Sequence, residues 1–193
     1  VVREAYLEVF EVLGLPGGST QQQTMARALD VIQDRDNDAR VRAHAVRLLA
    51  LGDVTPHEEM LRGLISSKDP APVQSAAVEA LGQIEDPAIG KFLLSKWEIM
   101  TPDIRSQSID VLMDTDPGVR MLLTAIDEGT VQASTVGRSR VKSLMLHDNA
   151  ELQKRARALL ANRGRARQEV VDEYSQVLDQ EGDPQAGQAA YAR

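Results

Sequence analysis

The sequence predicts an all-α solenoid, that is, an array of stacked antiparallel helix pairs. One pattern recurs along the chain: an apolar residue, a small residue four positions later, and a leucine one turn further on. The steps are 32 and 31 residues, a spacing typical of helical repeats. Each helix pair in such an array buries its apolar face by stacking on its neighbours. The pattern occupies Val41-Ala45-Leu48-Leu49, Val73-Ala77-Leu81 and Ile104-Ser108-Leu112.

Composition supports helix throughout and excludes several classes of protein. The 193 residues include few aromatic side chains (3%) and are rich in residues that favour helix. The sequence has no cysteine, which excludes disulfides and thiolate metal sites. No apolar stretch approaches the roughly 18 residues that cross a bilayer, and residues 1–20 lack a signal-peptide pattern. The chain starts at Val1 inside a helical pattern, as expected for a segment of a longer protein.

Each helix is predicted from its apolar period and from its start signal. Thr55-Pro56-His57-Glu58 predicts a capping box with proline at the first helical position. Asp86-Pro87, Thr101-Pro102 and Asp116-Pro117 repeat the cap followed by proline. Residues 34–38 alternate aspartates but lack the glycine and glutamate of a calcium loop, so they predict a polar turn with a cap. The predicted helices span residues 2–13, 20–33, 38–50, 56–66, 72–84, 87–99, 102–113, 117–127, 134–146, 149–161 and 166–179.

The apolar faces predict how these helices pair. Helix 38–50 pairs with 56–66, helix 72–84 with 87–99, and helix 102–113 with 117–127. The same register returns in Leu152-Ala156-Leu159-Leu160, which predicts that helix 134–146 is an insertion. We expect the repeated positions to be buried between layers, and an exposed Ala77 would contradict the register. These positions are Val41, Ala45, Leu48, Val73, Ala77, Leu81, Ile104, Ser108 and Leu112.

Charge is distributed unevenly along the chain. The net charge is −7, yet residues 136–167 carry nine Lys or Arg against two acidic residues. The segments before and after them are acidic. We call residues 136–167 the basic segment. Its candidate partner-binding residues are Arg138, Arg140, Lys142, Lys154, Arg155 and Arg157. The other cations of the segment are Arg163, Arg165 and Arg167.

No pattern in the sequence predicts catalysis. The His57-Glu58 dyad would need several more converging His and carboxylate ligands to hold a metal, and only three histidines exist. Residues 14–19 contain three glycines but lack the lysine and hydroxyl of a phosphate loop. No nucleophile elbow surrounds a serine. We therefore predict no enzyme activity, no catalytic residue, no metal site and no cofactor site in this chain.

The short helix pairs and the start Asp38-Ala39-Arg40-Val41-Arg42 resemble HEAT repeats. This resemblance implies a right-handed α-α superhelix and a non-catalytic scaffold that mediates protein interaction. The alternative function is a nucleic-acid-binding HEAT-like module that uses residues 138–167, as HEAT-like DNA glycosylases do. The acidic remainder of the chain and the lack of aromatic residues in the basic segment disfavour it. Steeply salt-dependent retention on DNA would distinguish the two functions.

The end of the chain carries a second resemblance. Arg140 to Asp148, the helix with Leu152, the helix with Tyr174 and the run Gly182-Asp183-Pro184 resemble the HEAT-repeat region of multidomain proteins of planctomycetes and verrucomicrobia. Those proteins carry a membrane-bound dehydrogenase-like module before this region and a haem-binding cytochrome c domain after it.

This second resemblance implies a spacer between the two modules and an extracytoplasmic location, periplasmic for example; without it a cytoplasmic location is expected. Haem c would lie in the parent protein, where a Cys-x-x-Cys-His motif should begin within about ten residues after Arg193. The expected division is a solenoid at 1–165, a capping helix at 166–180, and a linker with the start of a cytochrome c-like domain at 181–193. The expected partners are the flanking domains and a protein, rather than nucleic acid or a membrane.

Overall fold

The computed structural model describes residues 18–161 and Gln188, and these residues form helices and turns with no strand among them. Two 3₁₀ turns, Thr55–His57 and Trp97–Ile99, adjoin the α-helices. The expected helices at 2–13 and 166–179 and both expected domain boundaries lie outside the described residues. The described α-helices are α1 (Ser19–Gln33), α2 (Ala39–Leu49), α3 (Glu58–Leu64), α4 (Ala71–Gly82), α5 (Pro87–Ser95), α6 (Pro102–Met113), α7 (Asp116–Asp127), α8 (Ala133–Val136), α9 (Arg138–Met145) and α10 (residues 150–161).

The helices stack in two layers. In the first layer, α2 contacts α4, α4 contacts α6, and α6 contacts α8. In the second layer α5 contacts α7, while α1 and α3 pack against the first-layer helices α2 and α4. Apolar side chains fill the space between the layers from Ala28 to Leu160. The predicted all-α solenoid is confirmed.

A fourth helix pair continues the array where the sequence predicted an insertion. Arg140 of α9 donates hydrogen bonds to Asp110 and Ser106 of α6, so α9 lies in the first layer. Arg120 of α7 donates to Glu151 of α10, so α10 lies in the second layer beside α7. The predicted insertion was therefore wrong.

The wrong prediction has a simple physical cause. The pattern at Leu152, Ala156 and Leu160 belongs to a second-layer helix, although its spacing copies that of the first layer. The first-layer counterparts are Val136 and Leu144, which are both fully buried. These two residues do not show one continuous apolar period, because the helix is interrupted between them. Gly137 has φ of 81°, a conformation that glycine adopts readily. It divides the predicted helix 134–146 into α8 and α9.

Two of the four predicted helix starts are confirmed. The Asp86 carboxylate accepts the N–H of Ala88 at 2.7 Å, and the Thr101 hydroxyl accepts the N–H of Ile104 at 3.5 Å. The polar turn before α2 also has its cap, since Asp38 accepts two backbone N–H groups at the start of that helix. Side-chain acceptors of this kind satisfy N–H groups that lack partners within the helix.

The other two starts are shifted along the chain. At Thr55-Pro56 the predicted capping box was wrong, because these residues form a 3₁₀ turn and the Asp53 carboxylate accepts the N–H of Thr55 at 2.9 Å. At Asp116-Pro117 the cap is Thr115, whose hydroxyl accepts the N–H of Gly118 at 3.1 Å. In both places a polar residue just upstream provides the acceptor.

Most of the repeated positions are buried as predicted. Ala77 is fully buried, which confirms the register of the repeats. Val41 and Leu48 are only partly buried, so the prediction was wrong for them. In α2 the buried stripe is turned by one residue, because the side chain next to Val41, that of Arg42, occupies the interior. The buried positions that match the prediction are Ala45, Val73, Ala77, Leu81, Ile104, Ser108 and Leu112.

Arg42 begins a series of polar contacts that recurs in successive first-layer helices. The Nε of Arg42 donates to the carbonyl of Ile32 at 2.9 Å. One repeat later, Gln74 donates to the carbonyl of Asp69 at 2.8 Å. In the next repeat Arg105 donates to the carbonyl of Trp97 at 2.9 Å. Each side chain therefore binds a backbone carbonyl of the segment that precedes its own helix, which is the last turn of α1 for Arg42 and the connecting turn for Gln74 and Arg105.

Candidate interaction surface

Arg140, a candidate partner-binding residue of the basic segment, is used within the fold. Its guanidinium donates to both carboxylate oxygens of Asp110 at 2.6 Å and to the Ser106 hydroxyl at 2.9 Å. The hydrogen bond to Asp110 raises the pKa of Arg140. Paired hydrogen bonds between a guanidinium and a carboxylate are among the stronger polar contacts in proteins. Arg140 therefore fastens α9 to α6.

Two further candidates also make contacts inside the array. Arg155 of α10 lies 3.9 Å from the carboxylate of Asp127 in α7. Arg157 donates from Nε to the carbonyl of Met145 at 3.1 Å, which closes the end of α9 against α10. These contacts join the fourth helix pair to the third and its two helices to each other.

The remaining described candidates are Arg138, Lys142 and Lys154. All three are exposed, and in the part of the chain that the structure describes none of them forms an ion pair. Arg138 and Lys142 share one face of α9, being four residues apart. Arg163, Arg165 and Arg167 lie outside the described residues. Half of the six candidates thus make contacts within the array, and the other three form no ion pair with a described residue.

The ion pair between Arg120 and Glu151 links α7 to α10. The guanidinium donates to the two carboxylate oxygens at 3.0 and 3.4 Å. The hydrogen bond from Arg120 lowers the pKa of Glu151 below its ordinary value of 4.5, and the same bond raises the pKa of Arg120. Both side chains are largely solvent-exposed, so salt screens the pair.

This pair gives a pH dependence that can be measured. A carboxyl group whose pKa is lower in the folded state stabilises that state above its unfolded pKa. That contribution is lost as the pH falls through the folded value. We expect Glu151→Gln to lower the thermal unfolding midpoint at pH 7, and we expect the difference from wild type to shrink progressively as the pH falls below 4.5. Glu59→Gln is the control, and a difference that does not shrink as the pH falls below 4.5 would contradict the assignment.

A second charged surface was missed by the sequence analysis. The connections from first-layer to second-layer helices follow one another along one edge of the array, and the acidic residues at these connections are all exposed. These connections contain no Lys or Arg. We call this surface the acidic edge. It consists of Asp53, Glu85, Asp86, Asp114, Asp116 and Asp148.

A signal for the acidic edge is present in the sequence. Its residues recur with the same period of about 32 residues as the apolar pattern. The apolar and small residues of the repeat pattern do not include these turn residues, and the net charge of a long segment does not reveal a periodic charge. A comparison of the inter-helix turns with each other would have shown a carboxylate in every one.

Several carboxylates of the acidic edge have defined partners. Side-chain and backbone hydrogen bonds from Thr55 hold the pKa of Asp53 below its usual range. Asp116 accepts from the Asn149 side chain at 2.6 Å and lies 3.8 Å from Nε2 of His147. His147 lies in the turn between α9 and α10. These contacts order the edge and bring the third and fourth turns side by side.

Over residues 18–161 the structure shows no group of three or more His, Asp or Glu side chains placed to hold a metal ion. In the same residues no helix combines the length and the apolar character needed to cross a membrane.

Comparison with known protein families matches residues 25–112 to HEAT repeats. This part of the chain is a HEAT-repeat region, and the fold class is an all-α HEAT-like solenoid. HEAT repeats commonly serve as scaffolds for protein interaction and are typically non-catalytic. Neither the curated proteins nor the solved structures contain a match to this chain. The basic segment begins after the matched residues, so the assignment of the fourth pair depends on its contacts with α6 and α7.

Proposed function

We propose that this chain is a non-catalytic scaffold that holds flanking modules of a larger protein at a fixed separation. The observation that supports this proposal most strongly is the continuity of the two layers. Polar contacts join the successive pairs from Arg42 to Arg157, and buried side chains fill the interior between them. Because each pair is fastened to the next, the array can act as a stiff spacer.

We further propose that the modules are a dehydrogenase-like domain before the array and a c-type haem domain after it. This linker role is supported by the resemblance of residues 140–191 to the HEAT-repeat region of such multidomain proteins. It implies an extracytoplasmic location. The nucleic-acid alternative has less support, because Arg140, Arg155 and Arg157 already contact groups within the fold.

The linker role is tested first by the coding sequence on either side of this chain and then by shortening the array. A Cys-x-x-Cys-His motif is expected within about ten residues after Arg193, following the spacing of haem attachment. In that parent protein, deletion of one period, residues 71–101, should shift the modules relative to each other. We expect slower reduction of the haem by the substrate of the dehydrogenase-like module.

The controls separate a spacing effect from damage to the modules. Haem content and dehydrogenase activity with a soluble electron acceptor should be unchanged in the shortened protein. A substitution in an exposed position of the array, Glu98→Gln, should leave haem reduction unchanged. If the flanking sequence lacks the haem motif, or if the shortened protein reduces its haem at the wild-type rate, the linker role is wrong.

A further inference from the structure

An apolar groove of about 390 Å³ lies on the acidic edge between the second and third helix pairs. Its walls include Ile84, Val111 and Met121, which are partly exposed, and its floor includes Ile89 and Leu112, which are buried. The volume is at the lower end of the range of about 300–1,000 Å³ found for ligand pockets. It suits one or two side chains of a partner rather than a large cofactor.

Glycines bring the two helix pairs together around this groove. A methyl group added at Gly82 would lie 2.8 Å from a methyl carbon of Val111, and one added at Gly90 would lie 2.6 Å from the terminal carbon of Met121. Gly82 and Gly90 therefore allow the two helix pairs to come into contact at the groove, because neither residue has a side chain. The groove is built by the packing of the repeats and does not depend on a single loop.

The rim of the groove is negatively charged. Glu85 and Asp114 both line it and are exposed, and no residue between 18 and 161 forms an ion pair with either of them. Asp114 is also the C-cap of α6, where the helix dipole is negative. The starts of α5 and α7 also face this rim, but an N–H group of each already donates a hydrogen bond to a side chain. The acceptors are Asp86 at α5 and Thr115 at α7.

We propose that this groove binds a linear peptide segment of a protein partner, with an apolar side chain inserted between Val111 and Met121 and an adjacent Lys or Arg beside Glu85 and Asp114. Charge complementarity selects this occupant, because an acidic peptide would be repelled by the rim and a purely apolar one would leave the rim without counter-charge. The inference rests on the proposed scaffold function and names the chemistry of one of its partners.

The test is a titration of the full chain with short labelled peptides, followed by fluorescence anisotropy and by amide chemical shifts. The first peptide has a central leucine flanked by arginines, the second has glutamates in place of the arginines, and the third has serine in place of the leucine. We expect only the first to bind, with shifts confined to residues 82–90 and 111–121. Because exposed ion pairs are screened by salt, its affinity should fall as salt is added.

The variant Glu85→Gln with Asp114→Asn should weaken binding of the first peptide about 3- to 10-fold, as expected for the loss of two exposed ion pairs. The control Glu59→Gln with Glu98→Gln removes two exposed carboxylates away from the groove and should bind like wild type. Equal binding of all three peptides, no binding of any, or wild-type affinity of the groove variant would overturn the proposal. Self-association that the groove variant abolishes would assign the groove to a second copy and would also overturn it.

The outcomes of this test and of the linker test are independent. A missing haem motif after Arg193 would contradict the linker role and leave the peptide titration unchanged. Failure of the peptides to bind would contradict the groove assignment and leave the spacing effect of the array unchanged.

Discussion

Replacement of Asp69 by alanine is expected to lower the free energy of unfolding by about 3–5 kcal/mol, the range for removal of one partner of a buried ion pair. Asp69 is 4% exposed and Arg42 is 3% exposed. The two are joined by a hydrogen bond of 2.9 Å between the Arg42 guanidinium and a carboxylate oxygen of Asp69. Without the carboxylate, the guanidinium would remain buried with no counter-charge.

The position of this pair in the array increases its importance. Arg42 also donates to the carbonyl of Ile32 in the last turn of α1, and Asp69 accepts from Ser66 in the turn between α3 and α4. The pair therefore joins the end of α1 to the turn that precedes α4. In the alanine variant we expect faster amide hydrogen exchange in residues 19–49 than in the rest of the array, because stability in a solenoid depends on contacts between neighbouring repeats.

Urea unfolding followed by circular dichroism measures the effect, and two variants serve as controls. Arg47→Met removes an exposed partner of Glu79, whose pair has side chains 37% and 45% exposed, and should cost less than about 1 kcal/mol. Arg42→Met combined with Asp69→Leu replaces both charges by apolar groups and should recover much of the lost stability. An effect of Asp69→Ala no larger than that of Arg47→Met would contradict the assignment.

Sequence reasoning was most successful where the determinants are local. The helices from 20 to 127 were predicted nearly at their observed bounds, because apolar spacing and a proline after a polar residue act within one helical turn. The errors at Thr55 and Thr115 are of the same local kind. Thr115 and Asp116 are adjacent, and Asp53 and Thr55 are separated only by Val54. The backbone geometry determines which of the two polar residues accepts the N–H group.

Sequence reasoning failed where the partner lies one repeat away. Arg42 was noted only as part of a helix start, and Val41 was expected to be buried in its place. The side chain that allows an arginine to be buried there is Asp69, 27 residues further on. Since a buried charge needs a counter-charge, the burial of Arg42 could not be inferred from its own helix.

The basic segment shows the same limit. Its charge was summed over consecutive residues, but the array places each residue beside those about one period earlier. Arg140 thus meets Asp110, which is 30 residues upstream, and Arg155 meets Asp127. Carboxylates one period before each cation would have been a useful signal, since they identify the arginines that the fold neutralises.

Among the glycines in the described residues, Gly118 in the first turn of α7 has the least space for a side chain. A methyl group built on this glycine would overlap the carbonyl oxygen of Leu112 and lie 3.0 Å from its carbonyl carbon. These are backbone atoms at the end of α6, so they cannot move aside as a flexible side chain could. The absence of a side chain at Gly118 therefore allows α7 to start immediately after α6 ends.

Gly118→Ala is accordingly expected to destabilise the protein by about 1–3 kcal/mol, the cost of overpacking, although alanine favours helix over glycine by about 1 kcal/mol. The matched control is Gly63→Ala in α3, where the added methyl group has no atom within 4 Å; this variant should be as stable as wild type or more stable by up to about 1 kcal/mol. Urea unfolding of the two variants under the same conditions gives the comparison. Two changes of the same sign and size would show that helix propensity alone governs both sites, and the close contact between Gly118 and Leu112 would then have no energetic role.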